Sequence, residues 1–195
     1  DQLGKNLDRL FNADRNSFMS EMSSNAINSY LLETKQIHND STSITFLGEY
    51  KNEDPEAVKL KHGFNKDHRP DCKQIVFFFI ITADGNVPLS FQLFDGNQTD
   101  DTTHIPNWNA IREFLRGEDF IYIADCKLCS QKNLNHIHQH GGKFVTIIPR
   151  NRSDVKAFYE FIKENSIEWQ YAYETQNSRK KSETILYKTY EGEPS

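Results

Sequence analysis

Gln74-Ile75-Val76-Phe77-Phe78-Phe79-Ile80-Ile81-Thr82 is followed at once by Ala83-Asp84-Gly85-Asn86 and then by Val87-Pro88-Leu89-Ser90-Phe91-Gln92-Leu93-Phe94. The first run is nearly continuous in β-branched and aromatic residues, the composition of a strand buried on both faces, with Phe77 to Phe79 in the core. The Asp-Gly-Asn sequence is hairpin turn chemistry, so the second run reads as its antiparallel partner. Toward the C-terminus, Ile105, Trp108, Ile111, Phe114 and Leu115 recur at helical spacing within Thr103 to Arg116, and Gly117 closes the helix. Phe120-Ile121-Tyr122-Ile123-Ala124 is then a short buried strand that delivers Asp125 at its end. A further helix near Ser130 to His140 ends at Gly141-Gly142, and Phe144 to Ile148 is a last strand stopped by Pro149. Toward the N-terminus, Gln36 to Asn39 reads as a short strand ending on Asp40, with Ser41, Thr42 and Ser43 behind it. Leu3 to Leu32 reads as two helices with a break near Asn12 to Asn16, and Tyr50 to Arg69, with Asp54-Pro55 and Gly63, reads as a surface excursion.

The sum is strand, long excursion, hairpin of two strands, helix, strand, helix, strand. That is the element order of an α/β fold with a ribonuclease-H-like mixed five-stranded sheet and flanking helices. We expect a helical segment over residues 1–34, an incomplete catalytic core over 35–150, and a helix with the start of a β-rich insertion over 151–195. Ligands gather at strand ends in open sheets, and adjacent strands that each end in Asp can aim both carboxylates at one cation. For either acid alone, the competing explanation is ordinary turn chemistry.

A chain of 195 residues with 36% hydrophobic and 12% aromatic content can bury one sizeable core. No apolar run approaches the roughly eighteen residues that a membrane span requires, so no membrane partner is expected. The first residue is Asp1 and no secretory signal follows, so the chain reads as an internal piece of a longer polypeptide. Three cysteines, an odd count, argue for reduced thiols in a cytoplasm over a disulfide framework. The formal net charge of −5 excludes a generally basic DNA-binding surface, so any grip on phosphates must be local. The densest early basic cluster is Lys59, Lys61, Lys66, Arg69 and Lys73 with His62 and His68, a candidate phosphate-binding stretch whose alternative is a solvated loop. Arg179-Lys180-Lys181 is a second such run, with a hairpin turn as its alternative. Cys126 and Cys129, with His136, His138 and His140 following, raise a zinc or redox site; packing at a helix start is the competing reading of Cys129.

Five blocks in succession carry a resemblance: His38-Asn39-Asp40-Ser41-Thr42-Ser43; His62 to Gln74; Asp84-Gly85-Asn86-Val87-Pro88-Leu89; Phe94-Asp95-Gly96-Asn97-Gln98-Thr99-Asp100; and Ile123-Ala124-Asp125. Together they resemble the DDE transposases of bacterial insertion sequences, in the branch whose core carries a β-rich insertion, over about residues 3 to 170. The resemblance implies that Asp40 and Asp125 are the first two metal-binding acids of a catalytic triad. It implies two Mg²⁺ or Mn²⁺ ions in the active complex, and DNA as partner, both transposon ends and target. Lys66, His68, Arg69 and Lys73 are the DNA-binding candidates, two copies of the protein are expected in the DNA complex, and the setting is a bacterial cytoplasm at the nucleoid. The family's third acid is a Glu on a helix beyond the insertion, preceded by Tyr and Arg and followed by Lys. Arg179 and Glu183 have the right mutual spacing, but Gln176 and Tyr190 stand where Tyr and Lys are wanted, and Glu183 to Tyr190 alternates like a strand. The third acid is therefore expected beyond Ser195, with Glu160 or Glu164 as the runner-up within this chain. After the second Asp, Cys126-Lys127-Leu128-Cys129 departs from the family, only Leu128 fitting. The alternatives to an active transposase domain are a remnant that keeps only DNA or metal binding, and a generic ribonuclease-H-like nuclease.

Overall fold

The computed structural model describes residues 1–50, 55 and 57–192, so the part of the excursion at residues 51–54 and 56, Asp54 included, lies outside the described residues. The chain divides into two compact units, Asp1–Ile147 and Ile148–Ser195.

The first unit begins with α1 (Gln2–Asn12) and α2 (Arg15–Tyr30), separated at the expected break. Asp14 caps α2, accepting from the Ser17 amide at 3.1 Å and the Ser17 hydroxyl at 2.6 Å. Ser23 docks α2 on the sheet edge by donating to the Leu89 carbonyl at 2.9 Å. The sheet comprises β1 (Gln36–Phe46), β2 (Lys73–Thr82), β3 (Pro88–Asp95), β4 (Ile121–Ala124) and β5 (Lys143–Val145), in the spatial order β3-β2-β1-β4-β5. β1, β2 and β3 are antiparallel, whereas β4 and β5 run parallel to β1. α3 (His104–Phe114) and α4 (Gln131–Gln139) form the crossovers. This is the expected ribonuclease-H-like mixed sheet with flanking helices.

Three expectations need correction. β1 is eleven residues long, so Asp40 lies within the strand, paired with Phe79, and does not end it. The Ser-Thr-Ser run looks like turn chemistry, but the ten-residue β2 supplies a ladder along its whole length, and β-branched Thr42, Ile44 and Thr45 suit it. β2 is not buried on both faces. Gln74, Val76, Phe78, Ile80 and Thr82 are buried, while Phe77 is half-buried and Phe79 is 39% exposed. Ile37, Ile80 and Tyr122 pack against Trp108 and Ile111 of α3, Ile137 of α4 and Ile27 of α2. That core lies on one side of the sheet. β5 is also shorter than expected at three residues.

The second unit holds α5 (Ser153–Glu164) and a hairpin of β6 (Gln170–Gln176) and β7 (Thr184–Thr189). Arg179-Lys180-Lys181 lies in its turn, where the Asn177 side chain accepts from the amides of Arg179 and Lys180. Tyr173 and Tyr187 stack across the pair at 5.6 Å. Among the described residues no helix is long and apolar enough to cross a membrane.

Candidate functional site

The parallel pairing of β1 with β4 ends at Asn39↔Ala124, and the next residue on each strand is an acid, Asp40 and Asp125. Strands in a ladder lie about 4.8 Å apart, so the two acids follow a pair of backbones held at that spacing. Side chains alternate along a strand. Ile37, Asn39 and Ser41 are buried on β1, and Tyr122 and Ala124 on β4, so Asp40 and Asp125 fall on the opposite side, and both are exposed.

Each carboxylate has one oxygen engaged locally. Asp40 Oδ1 accepts from the Ser41 amide at 2.7 Å, and Asp125 Oδ1 accepts from the Lys127 amide at 2.9 Å. The Asp125 main chain is tied as well, its carbonyl accepting from Thr146 Oγ1 at 2.6 Å and from the Leu128 amide at 3.2 Å. Such contacts orient a carboxylate before any ligand arrives.

Beneath the pair lies a buried polar network that the sequence reading missed. Asn107 Nδ2 of α3 donates to Asn39 Oδ1 at 3.1 Å, and His104 Nδ1 lies 3.4 Å from Asn39 Nδ2 and 3.2 Å from the Tyr122 hydroxyl. Burial pushes the Tyr122 phenol well above its ordinary range, so it stays protonated and can donate to His104. The network joins α3 to the last paired residue before Asp40 and to β4. A count of apolar positions at helical spacing passes over His104 and Asn107 although both are buried. The only available signal was Asn39 itself, a polar residue beside the acid.

Of the DNA-binding candidates, Lys66 comes to Asp40. Its Nζ donates to the Ser41 hydroxyl at 2.9 Å and to the Ser41 carbonyl, and lies 4.0 Å from Asp40 Oδ1. Arg69 instead makes a bidentate pair with Asp71, at 2.9 and 2.7 Å, which holds the Asp71 carboxyl far below the usual range. Lys73 Nζ donates to the Tyr50 carbonyl at 2.7 Å. Exposed His68 adopts φ 57°, a left-handed conformation, in the turn after Asp67. Lys61 pairs with Asp95 at 2.7 Å, so the basic stretch is partly neutralised by its own neighbours.

Cys129 is buried and Cys126 half-buried, and among the described residues no group of three or more His, Cys, Asp or Glu is placed to hold a metal ion. The runner-up acid Glu160 accepts from Lys163 at 2.7 Å on α5.

No protein-family profile matches the sequence, and no curated protein matches it. Among solved structures, the chain is similar to the Mos1 transposase paired-end complex with left transposon end, at 11% identity and a TM-score of 0.38, over 77% of this chain and 53% of that one. It is similar to the piggyBac transposase synaptic complex with hairpin DNA, at 11% identity and a TM-score of 0.47, over 78% of this chain and 32% of that one. It is similar also to the Mos1 transposase catalytic domain with Raltegravir and Mn, at 9% identity and a TM-score of 0.38, over 80% of this chain and 74% of that one. The chain thus spans about half of the first of these structures and about a third of the second.

Proposed function

We propose that this chain is part of the catalytic domain of a DNA transposase that hydrolyses phosphodiester bonds and transfers strands at the ends of a bacterial insertion sequence. The observation that supports the reading most is the placement of Asp40 and Asp125. They are successive residues past one parallel register pair, on the same side of the sheet, exposed, and each braced by a backbone amide.

The donor set fits Mg²⁺ or Mn²⁺, which prefer hard oxygen ligands and keep several waters. Asp40 and Asp125 would hold the ions. A metal pair supplies an activated nucleophile and stabilises the leaving oxygen of an in-line displacement. Lys66, with His68, Arg69 and Lys73, would meet DNA phosphates, which fixes register without reading bases. The Asn39-Asn107-His104 network would keep the Asp40 backbone from shifting when its carboxylate is drawn toward a cation. Transposon ends and target DNA are the partners of this reading, with two protein copies for two ends.

The test is Asp40→Ala in the full-length protein. Strand cleavage of end-bearing DNA should be abolished while DNA binding stays largely intact, because the change removes a metal ligand and leaves the phosphate grip. Retained cleavage contradicts the reading. A wild-type protein that binds DNA but never cleaves it favours the remnant.

A further inference from the structure

α4 carries His136 and His138, and His140 is its C-cap residue. At 3.6 residues per turn, His136 and His140 share one face and His138 does not. The His136 and His140 ring centroids are 4.2 Å apart, and Trp108 of α3 lies against both, at 5.8 and 6.1 Å. Each imidazole has one nitrogen tied to an oxygen. His136 Nε2 lies 3.0 Å from Asn109 Oδ1, and His140 Nδ1 lies 2.7 Å from the His136 carbonyl oxygen. Those oxygens only accept, so the tied nitrogens carry the hydrogens, and His136 Nδ1 and His140 Nε2 keep their lone pairs. This is the arrangement found around metal-ligating histidines, whose second nitrogen donates to a carbonyl or carboxylate. Burial and the neighbouring His140 lower the His136 pKa.

We propose that His136 and His140 form a bidentate imidazole site for a borderline divalent transition ion, Zn²⁺, Ni²⁺ or Cu²⁺, at the C-terminal end of α4 beside Trp108 of α3 and distinct from the Asp40 and Asp125 carboxylates. Imidazole suits these ions, whereas carboxylates suit Mg²⁺ and Mn²⁺, so the two sites sort ions by chemistry. Metal–nitrogen bonds are about 2 Å and lie in the ring plane, so the two rings, with centroids 4.2 Å apart, turn about their side-chain torsions to bring both nitrogens to one ion. Water completes the coordination, which makes the site open and exchangeable. Buried Cys129 is no part of it. The Arg112 guanidinium donates to the His140 carbonyl and lies 5.2 Å from the Trp108 ring, and its charge weakens the site.

The experiment uses Trp169→Phe, which leaves Trp108 as the sole tryptophan and a reporter beside both rings. NiCl₂ and CuCl₂ are titrated against its fluorescence, and ZnCl₂ binding is followed by calorimetry. Saturable one-to-one binding is expected. His136→Ala and His140→Ala should each weaken it at least about tenfold, and Asn109→Ala about tenfold through the lost orienting bond. His138→Ala and Asp40→Ala should leave it unchanged. These side chains are exposed or half-buried, so far-UV circular dichroism should show all variants folded. The proposal is overturned by the absence of saturable binding, by binding that survives His136→Ala and His140→Ala, or by an equal loss in His138→Ala.

Discussion

Asp40 and Lys66 form a pair in which a tethered ammonium stands where a cation would approach, 4.0 Å from Oδ1. The side chains are 81% and 41% exposed, and an ion pair so solvated is worth about 0–1 kcal/mol. Lys66→Gln should therefore tighten Mn²⁺ binding by up to about fivefold, since about 1.4 kcal/mol corresponds to tenfold. Electron paramagnetic resonance of free Mn²⁺ reads this directly, and weaker binding in the variant would show that Lys66 supports the carboxylate. In the full-length protein the same change should lower the salt slope of DNA binding by about one, the signature of one lost phosphate contact. A second residue-scale effect follows from Asp95, whose carboxyl lies below the usual range because Lys61 Nζ and then the Lys59 amide donate to it. A depressed carboxylate contributes stability that is complete above its unfolded value of about 3.9 and is lost as pH falls through its folded value. Melting temperatures should thus hold between about pH 5 and 7 as far as this group is concerned and fall below about pH 4. Lys61→Met should flatten that acid limb.

At the scale of elements, Gly63 and Gly96 bring the end of the excursion onto the sheet. The Lys61 and Gln74 backbones exchange hydrogen bonds at 3.2 and 2.9 Å, the Gly96 amide donates to the Lys59 carbonyl at 3.1 Å, and Gln74 Nε2 donates to the Gly96 carbonyl at 2.8 Å. A Cβ on Gly96 would collide with the Gln74 and Lys61 carbonyls, and one on Gly63 with the Gly96 carbonyl. Gly96→Ala should cost about 2–3 kcal/mol, within the range for forced overpacking, and lower the melting temperature by roughly 5–10 °C. An unchanged melting curve would mean that this docking is not held in solution. Both glycines stood in the sequence blocks without a stated reason, and their reason is contact between segments distant along the chain. Element type was legible wherever composition alone decides it. Ile121 to Ala124 is too short and apolar for anything but a buried strand, and Ala83 to Asn86 turns a hairpin. The length of β1 was not legible, because Ser41 to Ser43 become strand only through pairing with Phe78 to Val76. That β1 and β4 each run into an acid was legible in outline, one after a short polar-apolar stretch and one after a short apolar run. Asn39, Asn107 and His104 were hidden because they bury polar atoms where an apolar count looks for none.

For the whole molecule, a net charge of −5 and a basic stretch partly spent on its own acids leave little positive potential for DNA. The chain as given should bind DNA weakly and lose that binding steeply with salt. Chemistry should be weaker still. In the proposed reading Asp40 and Asp125 would supply two ligands, no group of three is assembled among the described residues, and the remaining acid of the proposed triad would lie beyond Ser195. With one carboxylate missing, a Mg²⁺ ion lacks both a ligand and the charge that offsets its reluctant dehydration. Folding should not share that dependence, because the core of Ile37, Ile80, Trp108, Tyr122 and Ile137 is built from buried apolar and aromatic side chains. The purified chain should therefore be folded and inert. In Mn²⁺ buffer with supercoiled plasmid, its nicking should not exceed that of Asp40→Ala. If the chain nicks and the variant does not, a third ligand already lies within these residues, and Glu160→Gln and Glu164→Gln then decide which of the two α5 acids supplies it.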